Sequence, residues 1–133
     1  MEFKSNIEFS SFRITPAGID IKALNVDLSA LSVGDWVVYG GSSDFAVQIA
    51  AGAGQPGVDC VAGVVLEAIS AAGSGWVRIK GKCTAKTGAL VVAGEPLMLV
   101  AASVTAVLLV PGTVRAGFAF TTSAGGLSTV MVG

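Results

Sequence analysis

Residues 62–81 read AGVVLEAISAAGSGWVRIKG, and residues 116–133 read AGFAFTTSAGGLSTVMVG. Both stretches begin with Ala-Gly, continue as an apolar run, pass through small residues and return as a second run that ends in Gly. Glycine adopts the positive φ that tight hairpin turns require, so each stretch predicts a β-hairpin. The recurrence of one pattern indicates an internal repeat.

A second pair of matching segments precedes these hairpins. Residues 31–39 read LSVGDWVVY, and residues 91–99 read VVAGEPLML. In each segment a Gly-acid pair, Gly34-Asp35 or Gly94-Glu95, leads into an apolar run, and we expect the carboxylate to accept backbone N–H groups at the turn. The alternative is that the two carboxylates serve general acid–base catalysis or bind a cation, but no third ligand or nucleophile lies nearby in the sequence. The pattern predicts two weakly related halves of one fold.

The rest of the chain after residue 30 consists of short apolar runs punctuated by glycine. The whole sequence has 18 glycines, and no long window has a helical period of 3.6. Residues 46–53 are the one segment that could instead form a short helix or a loop. Many short strands at close spacing predict an all-β fold, a small β-barrel or a β-tulip-like sandwich.

The most hydrophobic run is PLMLVAASVTAVLLVP, residues 96–111. A membrane-spanning helix needs about 20 mainly apolar residues, and this run is shorter and bounded by prolines. It is also rich in β-branched residues, which favour strands. We therefore expect two buried strands, Leu97–Ala101 and Thr105–Val110, and no membrane association.

The first 28 residues differ from the remainder because they hold seven of the 17 charges. Two alternating segments in this region flank the turn signal Thr15-Pro16-Ala17-Gly18. We predict that residues 1–28 form an extended N-terminal arm or a strand pair, and that residues 29–133 form a single β-barrel domain. Apolar side chains on one face of the arm could equally lie on a neighbouring protein.

Composition excludes several classes of function. There is no His, and the two cysteines, Cys60 and Cys83, cannot form a metal site alone. The hydroxyl residues lack an activating base, so we predict no enzymatic activity and no cofactor. The net charge of −1 gives no case for nucleic acid. Only 13% of residues are charged, with Arg115 alone after residue 95, so we expect subunit association to cover apolar surface.

One strand pattern gathers basic residues on a single face. Trp76, Arg78, Lys80 and Lys82 alternate with Val77 and Ile79. The structural interpretation is that these residues form the solvated outer face of an edge strand, where lysine blocks unwanted strand pairing. The functional alternatives are docking to an acidic protein surface or weak stacking on nucleic acid.

The segments Ala62–Glu67, Gly75–Gly81 and Gly94–Leu97 together form a pattern that resembles a family of small phage proteins. These are the capsid decoration (cement) proteins of tailed bacteriophages and the capsid-binding base of head-fibre proteins, and the resemblance covers roughly 31–133. It implies a β-rich barrel or tulip-like fold, no catalysis, and a homotrimer that binds the major capsid protein on the capsid surface of the virion, after synthesis in the host cytoplasm.

The resemblance also suggests where contacts would lie. In such proteins an N-terminal arm commonly adds a strand to a capsid subunit, so Phe3, Ile7, Phe9 and Phe12 are predicted contact residues. The basic strand face described above adds Trp76, Arg78, Lys80 and Lys82 to the predicted contacts. The expected function is therefore capsid cementing. The alternative that the sequence leaves open is a small β-barrel binding module or an accessory subunit of a cellular complex.

Overall fold

The computed structural model describes residues 7–8, 11–40, 45–49, 61–88, 91–99, 106–108, 115–122 and 126–133. Within these ranges every regular element is a β-strand, so the predicted all-β class is confirmed. The strands are β1 (Ile7–Glu8), β2 (Phe12–Thr15), β3 (Gly18–Asn25), β4 (Trp36–Tyr39), β5 (Ala46–Gln48), β6 (Val61–Val65), β7 (Ser74–Thr87), β8 (Pro96–Leu99), β9 (Ala106–Leu108), β10 (Gly117–Ala119) and β11 (Gly126–Val132).

The first half of the sheet closes on itself as a five-stranded barrel. The strands pair in the order β3-β5-β4-β6-β7, and β7 returns to pair with β3. The β3–β5 pairing is parallel, whereas β5–β4, β4–β6, β6–β7 and β7–β3 are antiparallel. We call these five strands the first ring. Because the ring is closed, each of its strands pairs with two others of the same ring.

The second half repeats this topology. Its strands pair in the order β7-β11-β10-β8-β9, and β9 pairs in parallel with the end of β7 through Thr87↔Ala106. This second ring has its parallel pair in the position equivalent to β3–β5. Strand β7, which has 14 residues, belongs to both rings: its first half closes the first, and its second half opens the second.

The turns that enter the two rings share the same backbone hydrogen bonds. The Gly34 N–H donates to the Val65 carbonyl at 2.9 Å, and the Gly94 N–H donates to that of Ala119 at 2.7 Å. Both glycines have positive φ, +89° for Gly34 and +87° for Gly94, as the turn requires. The Asp35 carboxylate also accepts the Ser32 N–H at 2.8 Å, as expected, whereas the Glu95 carboxylate has no such bond to a described residue.

Each ring has its own hydrophobic core. Val37 and Val65 point into the first core, with Ile21, Ala23 and Val77. Because side chains alternate along a strand, their neighbours Trp36 and Val64 point the other way and pack into the second core with residues such as Leu97 and Val130. The Trp36 indole N–H donates to the Lys86 carbonyl at 3.0 Å, which ties the two rings together.

The hydrophobic run at 96–111 contains strands β8 and β9, which pair antiparallel through Leu97↔Leu108 and Leu99↔Ala106. Residues 100–105 and 109–111 lie outside the described residues. No helix in the described part of the chain has the length and apolar character needed to cross a membrane.

Residues 46–48, for which a short helix or a loop was the alternative, form strand β5, which pairs with β3 and β4; residues 50–53 lie outside the described residues. The edge-strand interpretation of Trp76–Lys82 is wrong. Strand β7 is not an edge strand, since it pairs with β3, β6, β9 and β11. The domain boundary at residue 28 stays a prediction; β3, which lies before it, supplies Ile21 and Ala23 to the first core.

Candidate functional site

The predicted contact residues fall into three places. Phe3 and Phe9 lie outside the described residues, and Ile7 belongs to β1, where it pairs with Ile14. Phe12 begins β2 and is 37% exposed. Trp76, Arg78, Lys80 and Lys82 all lie on β7, and the structure divides them into a buried pair and an exposed pair.

The buried pair begins with Arg78, which binds a carboxylate that sequence reasoning missed. The Arg78 guanidinium contacts fully buried Asp20 on β3 through Nε–Oδ1 at 2.7 Å and Nη2–Oδ2 at 3.3 Å. Arg13 on β2 donates to Asp20 Oδ2 at 2.8 Å, and Arg78 Nη1 donates to the Lys82 carbonyl at 2.7 Å. A buried carboxylate with two guanidinium partners is structural, because either charge alone would be costly to bury.

Trp76 is covered by cations from the neighbouring strands. The Arg13 guanidinium lies 4.3 Å from the centre of the indole ring, and the Lys22 ammonium lies 5.1 Å from it. Glu67 accepts the Trp76 backbone N–H at 3.0 Å and lies 3.9 Å from the Lys22 ammonium. Cation–π contacts therefore occupy the ring that the sequence suggested for stacking.

The exposed pair is Lys80 and Lys82, and Lys82 belongs to a different surface. Its ammonium lies 4.2 Å from the centre of the Phe120 ring. The Arg115 guanidinium lies 4.5 Å from the centre of the Phe118 ring. Phe118 pairs across the sheet with Met131, which in turn pairs with Lys82. We call Lys82, Arg115, Phe118, Phe120 and Met131 the basic–aromatic patch.

Sequence reasoning missed this patch, although the repeat contained a signal for it. Aligning Ala62-Gly63 with Ala116-Gly117 places Phe118 next to Met131 by the same pairing that joins Val64 to Arg78. Phe120 is 49% exposed and Met131 is 37% exposed, so large apolar groups reach solvent beside two cations. Such a combination is typical of a protein-binding surface.

An apolar groove and a free thiol are two further candidate sites. A groove of about 430 Å³ is lined by apolar side chains and two polar ones, namely Leu24, Asn25, Val26, Asp27, Leu28, Ala71 and Ala72. Cys83 is a free thiol beside the second core, and burial raises its pKa to about 11, which disfavours the reactive thiolate. Cys60 lies outside the described residues.

The described residues include no group of three or more His, Cys, Asp or Glu side chains that could hold a metal ion. Their buried ionic groups serve the fold instead: Asp20 binds two guanidinium groups, and Asp35 binds the Lys86 ammonium and the Ser32 N–H. The surface property that stands out is therefore apolar and aromatic exposure rather than a chemically equipped cleft.

No protein-family model matches the sequence, and no curated protein matches it. Among solved structures, the chain is similar to the head fiber gp8.5 N base of bacteriophage phi29, with a TM-score of 0.56 and 16% sequence identity. The match covers 86% of this chain and 92% of the fibre base. At this identity the likeness concerns the fold, so the chain shares its fold with the base of a phage head fibre.

Proposed function

We propose that this chain is a structural protein of a tailed-phage virion. It binds the outer surface of the assembled capsid and stabilises it, as a homotrimer that bridges copies of the major capsid protein. The observation that carries the proposal is the shared fold with the head-fibre base, which extends over nearly the whole of both chains. The sequence resemblance to capsid decoration proteins and head-fibre bases points to the same function.

The surface of the chain fits a protein that works in an assembly. Several large apolar side chains reach solvent, among them Leu28 at 97%, Leu127 at 59% and Val33 at 50% exposure. With 13% charged residues in the whole sequence, few polar groups are present to separate them. Many weak contacts of this kind, repeated over a capsid lattice, produce strong attachment through multivalency.

The experiment that tests the proposal is co-sedimentation. The purified chain is mixed with shells of the major capsid protein of the same phage, in expanded and unexpanded form, and the pelleted fraction is measured. We expect saturable binding to at least one form and a higher melting temperature of the decorated shell. Absence of binding to both forms would contradict the proposal.

The homotrimer is tested separately, by light scattering of the free chain in solution and by chemical cross-linking of the chain bound to the shell. Trimer bands after cross-linking on the shell are the expected result, and a chain that stays monomeric in both settings would remove this part of the proposal.

The second candidate is a small β-barrel binding module or an accessory subunit of a cellular complex. The observation in its favour is the apolar groove lined by Leu24 of β3, by Leu28 just after that strand, and by Ala71 and Ala72 in the turn before β7. Pockets of this size accept small ligands. Neighbouring genes distinguish the two candidates: capsid, portal and protease genes favour the virion protein, whereas metabolic genes favour the binding module.

A further inference from the structure

The two rings place different chemistry at equivalent positions. Gly63 pairs with Val37 and Gly117 pairs with Leu97, so the two glycines hold equivalent positions in the two hairpins. In this alignment Arg78 is equivalent to Met131, because each pairs with the residue that follows the glycine, Val64 or Phe118. Since Arg78 pairs with Asp20 and Met131 pairs with Lys82, the Asp20–Arg78 pair of the first ring is replaced by Lys82–Met131 in the second.

In the first ring, the charges of Asp20 and Arg78 are neutralised by ionic contacts within the chain. Asp20 is fully buried, Arg78 is 8% exposed, and Arg13 from β2 completes the ionic contacts. At the Asp20 and Arg78 positions the first ring therefore has no unpaired charge and little exposed area to offer a partner.

The second ring leaves the same positions open. Met131 is 37% exposed, and Lys82 and Arg115 are both exposed, each lying on an aromatic ring. No described carboxylate forms an ion pair with Lys82 or Arg115. A cation on a ring face keeps its other side in solvent, so both charges are held in fixed positions and remain able to bind an anion.

The distribution of charge along the chain makes this surface basic. The last two of the nine acidic residues are Glu67 and Glu95, so residues 81–88, 115–122 and 126–133 contain none. The third basic residue of these segments, Lys86, is bound to Asp35. The basic–aromatic patch is thus a positive, apolar area on a chain whose net charge is −1.

From these observations we infer that the basic–aromatic patch is the docking surface for a protein partner whose contact segment combines carboxylates with apolar side chains. The inference rests on the proposed function and deepens it, since it assigns the capsid-binding surface to the second ring. Phe118, Phe120 and Met131 supply the apolar contact, and Lys82 and Arg115 set the charge of the partner. Aromatic, Met and Arg residues are the types enriched in the contact areas of protein interfaces.

A protein partner fits this patch better than nucleic acid does. Nucleic-acid interfaces are much more positively charged than protein interfaces and derive most of their affinity from phosphate contacts. The patch has two cations, and both already lie against aromatic rings. An acidic and hydrophobic segment of a protein would supply two carboxylates for these cations together with apolar side chains for the aromatic rings.

The test is charge reversal with a matched control. Lys82→Glu, Arg115→Glu and the double variant are compared with Lys22→Glu, which makes the same change of charge on β3 of the first ring. Affinity for shells of the major capsid protein is measured at low and at physiological salt, and thermal unfolding verifies that each variant is folded. A charge-neutral pair, Lys82→Gln with Arg115→Gln, repeats the comparison without introducing repulsion.

We expect the double reversal to weaken shell binding about tenfold or more, equivalent to about 1.4 kcal/mol, and to reverse its salt dependence, whereas the Lys82→Gln, Arg115→Gln pair should abolish that dependence. Lys22→Glu should bind within about twofold of the wild type, because Lys22 lies outside the patch. A folded double variant that binds like the wild type would overturn the inference and leave the proposed function standing. Failure of the wild type to bind shells would overturn both. Binding of short double-stranded DNA that the double variant loses would reassign the patch to nucleic acid.

Discussion

Replacing Gly63 by Ala places a Cβ atom against the backbone of the neighbouring strand. That atom would lie 1.9 Å from the Arg78 carbonyl oxygen and 2.8 Å from the Arg78 carbonyl carbon. Close C···O contacts between strands are about 3.3 Å, so β6 and β7 would have to separate by roughly 1.4 Å from the 1.9 Å contact. No flexible side chain can relieve the overlap, because both contacting atoms belong to the backbone.

The free-energy cost follows from that displacement. Overpacking costs about 1–3 kcal/mol, and weakening two hydrogen bonds between β6 and β7 adds about 1 kcal/mol for each. We expect Gly63→Ala to lower the free energy of unfolding by about 3–5 kcal/mol and the melting temperature by roughly 10–15 °C. Gly117→Ala should cost a similar amount, since its Cβ would lie 2.2 Å from the Met131 carbonyl oxygen at the equivalent position.

The matched control is Gly94→Ala. Gly94 has φ +87°, but an added Cβ would meet nothing within 4 Å, so this variant measures backbone strain without a collision. Its expected cost is about 1–2 kcal/mol. Urea unfolding of the three variants provides the comparison. If Gly63→Ala and Gly117→Ala cost no more than Gly94→Ala, close approach of the strands does not explain the repeated Ala-Gly pair.

Four further predictions concern the buried ions, the thiol and the N-terminal segment. Arg78→Met should cost about 3–5 kcal/mol, because it removes one of the two cations on buried Asp20; Asp20→Leu combined with Arg78→Met should cost less than the sum of the single variants, and urea unfolding that gives additive costs would contradict the coupling. In a Cys60→Ser background, Cys83 should react with a disulfide reagent at pH 8 at least about tenfold more slowly when native than when unfolded. Because burial raises the Cys83 pKa from 9.0 to about 11, its contribution to stability is complete below pH 9 and is lost as the pH rises towards 11; an unchanged difference in stability between wild type and Cys83→Ser over this range would refute that assignment. Deleting residues 2–10, which retains β2 and the Arg13–Asp20 contact, should leave the melting temperature within a few degrees but weaken capsid binding; unfolding of the truncated chain would show that the segment belongs to the core.

The strand content and the repeat were predictable because they depend on local patterns. Alternation along β7 and the Gly-acid turns at Gly34 and Gly94 are properties of neighbouring residues, and the structure retains both. The Ala-Gly pairs were visible in the sequence as well, but their cause was not. That cause is a backbone atom of a strand far along the chain, at Arg78 or Met131.

What the sequence could not show depends on pairing between distant segments. Strand β5 has three residues, and its conformation is imposed by β3 and β4 rather than by its own propensity. The alternation of Trp76, Arg78 and Lys82 predicted one shared face, but Arg78 is buried against Asp20, whereas Lys82 is exposed beside Phe120. Burial of a charged side chain is decided by its partners, which no local window contains.

The strand that both rings share has a consequence for folding. If Ser74–Thr87 were to detach, the first ring would lose its closure with β3 and β6, and the second would lose its contacts with β9 and β11. We therefore expect the two rings to unfold together, with the amide protons of both exchanging with solvent through one global opening. Although the halves repeat in sequence, the shared strand would make them a single cooperative unit.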